Sequence, residues 1–185
     1  RRLQRDTDWW LSKLDTWASG SSAGGEYNIL SASELLSSPE RIQVVQSDAS
    51  GLVTDGFGYI HGPLTSSNPA VYSQCWEVGF VFKSSTNCEL RGLEHKVGAT
   101  TARDCLLIWV TDSLVGAHMV NRGSADGMDD LELLDDIYDA AEAKNIQLIA
   151  LWIPRELNTF PDMLSHLSRL MNNEPISAFA EDFKA

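Results

Sequence analysis

Cys105-Leu106-Leu107-Ile108-Trp109-Val110-Thr111-Asp112-Ser113 is a near-continuous apolar run closed by an acid and a hydroxyl. A run this short and this apolar suits a strand in mid-sheet, covered on both faces. Upstream, Ile42-Gln43-Val44-Val45-Gln46-Ser47-Asp48 is a second β-branched segment that also ends on an acid. Gly51 and Asp55-Gly56 supply turn chemistry behind it, so Phe57-Gly58-Tyr59-Ile60-His61 is expected to return as its antiparallel neighbour. Strict alternation over 76–82 predicts a third strand, and connections this short make the three an antiparallel meander. Leu90, Leu93, Glu94 and Val97 have helical spacing within 87–98. Beyond the central run, helices are expected near 114–121 and over 129–144, then a strand at 147–153 and a last helix at 161–170. The predicted order is β-β-β-α-β-α-α-β-α, an α/β domain.

Ahead of this core, Trp10, Leu11, Leu14 and Trp17 share one helical face, and Ser19-Gly20-Ser21-Ser22-Ala23-Gly24-Gly25 reads as a flexible link. The expected division is therefore a helix and linker over 1–25 and a main domain over 26–185, its core at about 42–170. The absent initiator Met and the basic start, Arg1-Arg2, are expected of a piece cut from a longer polypeptide.

The 185 residues, 43% of them hydrophobic, suit one well-cored domain and exclude a disordered chain. A net charge of −12 excludes a general electrostatic grip on nucleic acid phosphates, so any such contact must be local, metal-assisted or shared with a partner. No apolar run approaches the ~20 residues of a membrane helix. Cys75, Cys88 and Cys105 are an odd set without metal-ligand spacing, as expected of small buried hydrophobes in a reducing, intracellular compartment, cytoplasmic or nuclear. The acids of the 129–144 helix are scattered around it and read as a solvated face.

Four other carboxylates fall at element ends: Asp48 and Asp112 close two strands, Glu89 lies in the first turn of a helix, and Asp162 opens the last helix behind Pro161. Each alone has a structural reading, as turn former, capping-box acid, N-cap or helix-end charge. If the two strands are neighbours, Asp48 and Asp112 stand side by side and the helices close over them. Four acids in one place repel unless a cation is present, and hard oxygen ligands suit Mg²⁺ or Mn²⁺. Two such ions about 4 Å apart clamp the attacking water and the leaving oxygen of a phosphoryl displacement, which points to phosphodiester hydrolysis.

These segments resemble the ribonuclease H domain of reverse-transcribing elements. Val45-Gln46-Ser47-Asp48-Ala49-Ser50 with Gly56-Phe57-Gly58 is similar to its first hairpin, Asn87-Cys88-Glu89-Leu90-Arg91-Gly92-Leu93 to its first helix, and 110–123 to its fourth strand and second helix. Leu151-Trp152-Ile153-Pro154-Arg155-Glu156-Leu157-Asn158, followed by Pro161-Asp162-Met163-Leu164-Ser165, resembles its tail in LTR retrotransposons and in those carrying a tyrosine recombinase. The Trp-Trp segment at the start resembles the stretch that joins polymerase to this domain.

The resemblance implies a mixed five-stranded sheet with helices on both faces, two Mg²⁺ ions with Mn²⁺ as a substitute, and cutting of the RNA strand of an RNA–DNA hybrid. It implies that Asp48 and Asp112 hold both ions, that Glu89 binds one and helps place the water, and that Asp162 completes the second site. Ser50, Ser113, Asn121, Arg155 and Asn158 are the expected substrate contacts. A reverse transcriptase domain upstream in the same polyprotein is the implied partner, the excised domain being a monomer that binds hybrid weakly.

The sequence departs from that pattern in the 154–160 loop, where many members of the family keep a His. His61, His95, His118 and His166 all lie elsewhere. The basic helical extension by which some relatives hold hybrid is also absent. The alternative is a degenerate module serving as a scaffold for protein contacts, against which the retention of all four acids argues, because clustered charge without metal costs stability.

Overall fold

The computed structural model describes residues 31–166. The helix and linker expected over 1–25, and the chain beyond 166, lie outside the described residues. A short helix α1 (Ala32–Ser37), which the sequence reading did not anticipate, is started by a reciprocal bond pair between Ser31 and Glu34. The strands follow as β1 (Ile42–Ala49), β2 (Gly56–Pro63) and β3 (Ala70–Cys75), then α2 (Ser85–Ala99), β4 (Cys105–Thr111), α3 (Leu114–Arg122), α4 (Met128–Glu142), β5 (Ile146–Trp152) and α5 (Thr159–Ser165).

The sheet order is β3-β2-β1-β4-β5. The β1–β2 and β2–β3 pairs are antiparallel, whereas β1–β4 and β4–β5 are parallel. This is the mixed five-stranded sheet that was expected, with β4 inside it. Helices cover both faces. Val45, Phe57, Tyr59, Leu107 and Trp109 face Leu90, Leu93 and Val97 of α2, Val120 of α3, and Leu134 and Ile137 of α4 in one closed core. On the opposite face α5 packs across β1, β2 and β3.

Local signals set the helix ends. Ser84 caps α2 by accepting the Asn87 N–H, and Ser113 caps α3 by accepting that of Gly116. At the far end of α2, the Lys144 ammonium donates to the carbonyls of Val97, Gly98 and Thr100 at 2.6, 2.6 and 2.9 Å. Gly123 ends α3 in the left-handed region at φ 65°, where a side chain would be strained.

One strand is displaced from its expected place. Residues 76–82 are not β3, which lies at Ala70–Cys75 with Cys75 opposite Gly56. Once β2 begins at Gly56 the meander has no partner left for later residues, so the chain turns away. The Trp76 indole N–H donates to Ser50 O at 2.8 Å, its ring stacks on Phe80 at 4.2 Å, and Gly79 breaks the extended run at φ 93°. The alternation belongs to a loop folded against the hairpin rather than to a pleated strand.

Candidate metal centre

The parallel register pairs Gln46 with Val110, and continuing it by two residues sets Asp48 beside Asp112 at the carboxyl ends of β1 and β4. Glu89 enters from the first turns of α2, where its Oε1 accepts the Ala49 N–H at 3.0 Å. One carboxylate oxygen from each of Asp48, Glu89 and Asp112 lies within 4.8 Å of the others. Asp162 of α5 is outside that mutual set but lines the same cleft of about 660 Å³, together with Ser50, Ser113, Arg155 and His166.

The approach of α5 depends on Gly58, the residue opposite Asp48 on β2. A Cβ there would fall 2.2 Å from the Leu164 Cβ and 2.8 Å from its carbonyl carbon, so only glycine lets the helix lie against the strand. The close fit delivers the Ser165 hydroxyl to Asp48 Oδ2 at 2.6 Å and anchors Ser73 Oγ on the Leu164 carbonyl at 2.7 Å. On the other face the Trp109 indole donates to Ser47 Oγ at 2.8 Å, tying β4 to β1 beneath the acids.

The electrostatics are those of negative charge gathered out of water. Burial pushes the Asp48 carboxyl up to about 7, with repulsion from Asp162 and Asp112 adding to it and the Ser165 hydroxyl pulling the other way. Glu89 is raised well above the ordinary carboxylate range, first by burial and then by Asp48 and Asp112. Asp112 is raised by burial against the pull of the Arg155 guanidinium. Glu89 Oε2 is buried without a hydrogen-bond partner. A desolvated, unpartnered carboxylate oxygen beside two more acids is a donor set that a hard divalent cation satisfies, so the residues fit Mg²⁺ or Mn²⁺.

The expected substrate contacts divide. Ser50, Ser113 and Arg155 line the cleft, and Arg155 Nη2 bonds Asp162 Oδ1 at 3.1 Å. Asn158 is fully buried, donates to Ser47 O at 2.9 Å, accepts from Gln46 Nε2 at 3.0 Å, and stands 3.5 and 3.4 Å from Asp48 and Asp112. It braces the acids from within and offers nothing to a ligand outside. Asn121 lies on α3 outside the cleft-lining set and is exposed. Its amide exchanges two 2.8 Å bonds with the Ala150 backbone, covering β5 as a neighbouring strand would.

Three contributors escaped the sequence reading: Ser165, His166 and Asp55. His166, set aside because it lies outside the 154–160 loop, lines the cleft, with Nδ1 2.9 Å from Asp55 Oδ2. The available signal was spacing, because Ser165 and His166 follow Asp162 by three and four residues and so fall on its side of a helix.

No family model and no curated protein matches the sequence. Solved structures do. The chain is similar to the N-terminal RNase H domain of rv2228c from Mycobacterium tuberculosis, with a TM-score of 0.54 and 20% identity over 67% of this chain and 95% of that one. It is also similar to RNase H1 from the halophilic archaeon Halobacterium salinarum NRC-1, with a TM-score of 0.52 and 12% identity over 72% and 99%. LC11-RNase H1, isolated from compost by a metagenomic approach, gives 0.52 and 17% over 70% and 96%. The fold of this chain is therefore ribonuclease H-like.

Proposed function

We propose that the chain is a divalent-metal-dependent nuclease that hydrolyses the RNA strand of RNA–DNA hybrids. The observation that carries the reading is the meeting of Asp48, Glu89 and Asp112 at the strand ends, with one oxygen of Glu89 buried and unpartnered. Such an arrangement is costly to keep without a cation and useful with one.

In this reading Asp48 and Asp112 would hold both Mg²⁺ ions, Glu89 would hold one, and Asp162 would complete the second position. Bound there, the ions supply a water activated near neutral pH and neutralise the charge developing on the leaving oxygen. The chain's own work is placement. Ser165 and Asn158 fix the Asp48 and Asp112 carboxylates, the β1–β4 register holds their spacing, and Glu89, anchored through Oε1 to Ala49, aims its other oxygen. Arg155, whose side chain is 62% exposed, offers a guanidinium to a phosphate at the rim, with Ser50 and Ser113 beside it. The same reading places the domain downstream of a reverse transcriptase in one polyprotein, with 1–25 as the connection.

The test is cleavage of end-labelled RNA–DNA hybrid, single-stranded RNA, duplex RNA and duplex DNA with Mg²⁺ and with Mn²⁺. Loss of the hybrid's RNA strand alone, abolished by Asp48→Asn, is expected. No cleavage of any substrate at high enzyme supports the scaffold reading instead.

A further inference from the structure

His166 follows α5 directly, and the acid that orients it comes from a different part of the chain. Asp55, in the turn between β1 and β2, is fully buried, and its Oδ2 accepts the Ser50 hydroxyl at 3.0 Å and faces His166 Nδ1 at 2.9 Å. The contact engages Nδ1 and leaves Nε2 as the ring nitrogen turned toward Asp162. Nε2 lies 3.9 Å from Asp162 Oδ1, its neighbour four residues back, and both line the cleft that holds Asp48, Glu89 and Asp112.

A carboxylate that holds the distal nitrogen of a histidine while the other nitrogen faces a second acid is the arrangement that orients an imidazole ligand toward a metal. The spacing agrees with it. Two ligand atoms each about 2.1 Å from one ion lie at most about 4.2 Å apart, and 3.9 Å falls inside that limit. The Arg155 guanidinium, 3.1 Å from the same Asp162 oxygen, shows that a positive charge is accommodated there.

We infer that His166, oriented by Asp55, is a nitrogen ligand of a divalent cation on the Asp162 side of the cleft, which makes that position selective for Mn²⁺ over Mg²⁺. Mg²⁺ is held through carboxylates and water, whereas a first-row transition ion gains affinity from a nitrogen donor, Mn²⁺ being the weakest of that series. The inference rests on the reading of Asp162 as a metal ligand. It divides the centre into an all-oxygen half at Asp48, Glu89 and Asp112 and a mixed half at Asp162 and His166.

The test is pulsed EPR of Mn²⁺ bound to the full 185-residue chain in nitrogen-free buffer. A ¹⁴N modulation is expected in the wild type, replaced by the ¹⁵N pattern when only histidine is isotopically labelled, and absent in His166→Ala. Asp55→Asn is expected to weaken Mn²⁺ at that position by about 10- to 100-fold. Bound Mn²⁺ with oxygen couplings alone, or a ¹⁴N modulation that survives His166→Ala, overturns the inference and leaves the acid cluster standing. Absence of any bound Mn²⁺ overturns both. Even where a variant fails to fold, oxygen couplings alone in the labelled wild type overturn the inference.

Discussion

Glu89 has one oxygen bonded to the Ala49 amide and the other buried without a hydrogen-bond partner. Asp48, held by Ser165, shares the same pressure, and its titration gives that pressure a sign. Unfolded, Asp48 titrates near 3.8; folded, near 7. Below the lower value both states carry the proton and its stabilisation is fully present; that stabilisation is lost as pH rises through the upper value. In EDTA the chain is therefore expected to melt at a higher temperature at pH 5 than at pH 8, a difference reduced by Asp48→Asn and offset at pH 8 by Mg²⁺. A melting temperature in EDTA that is flat across this range, or the same in Asp48→Asn, contradicts it. The acids were legible in the sequence because each stands at the end of a strand or in the first turn of a helix. Asn158 and Asn121 were not legible in the same way. An amide reads alike in sequence whether it faces a ligand or, like Asn158, turns inward on Asp48 or, like Asn121 on α3, bonds a strand edge.

At the scale of elements, the site depends on how α5 lies on the sheet. Gly58 permits that contact, and adding one carbon there drives into the Leu164 backbone. Gly58→Ala is expected to cost roughly 1–3 kcal/mol in urea denaturation. It is expected to lower hybrid cleavage by more than about tenfold as well, since small misplacements of positioning groups are expensive in rate. Gly92→Ala is the contrast: its Cβ would meet Phe57 at an ordinary 3.6 Å within α2, so stability is expected to rise by up to about 1 kcal/mol with cleavage unchanged. Equal effects of the two changes contradict the role given to Gly58. The bounds of β4 were readable to the residue from its apolar run, but it is fully buried on one face only, Leu106, Ile108 and Val110 on the other being half-buried. β3 was misplaced by one segment because alternation records which residues are apolar and not which strand remains to pair with them. The loop at 76–82 hides its aromatic pair by stacking, a contact that no periodicity reveals.

Across the whole molecule, the ribonuclease H-like architecture followed from element order, the β1–β4 adjacency and the resemblance of the acid-bearing segments. What the order of elements did not contain was the second side of the cleft, assembled from the β1–β2 turn and the end of α5, which lie 111 residues apart at Asp55 and His166. The net charge of −12 sets the terms of substrate binding. Few phosphate contacts release few counterions, so the isolated chain is expected to bind hybrid weakly at physiological salt and with a shallow salt dependence. A nanomolar Kd by fluorescence anisotropy contradicts that expectation. The central claim is that these acids are gathered to hold divalent cations, and the most direct measurement is the thermal midpoint of wild type and Asp112→Asn with and without Mg²⁺ or Mn²⁺. The account predicts a rise in midpoint with cation in the wild type that is mostly lost in Asp112→Asn. A cation-induced rise of equal size in both proteins would contradict it.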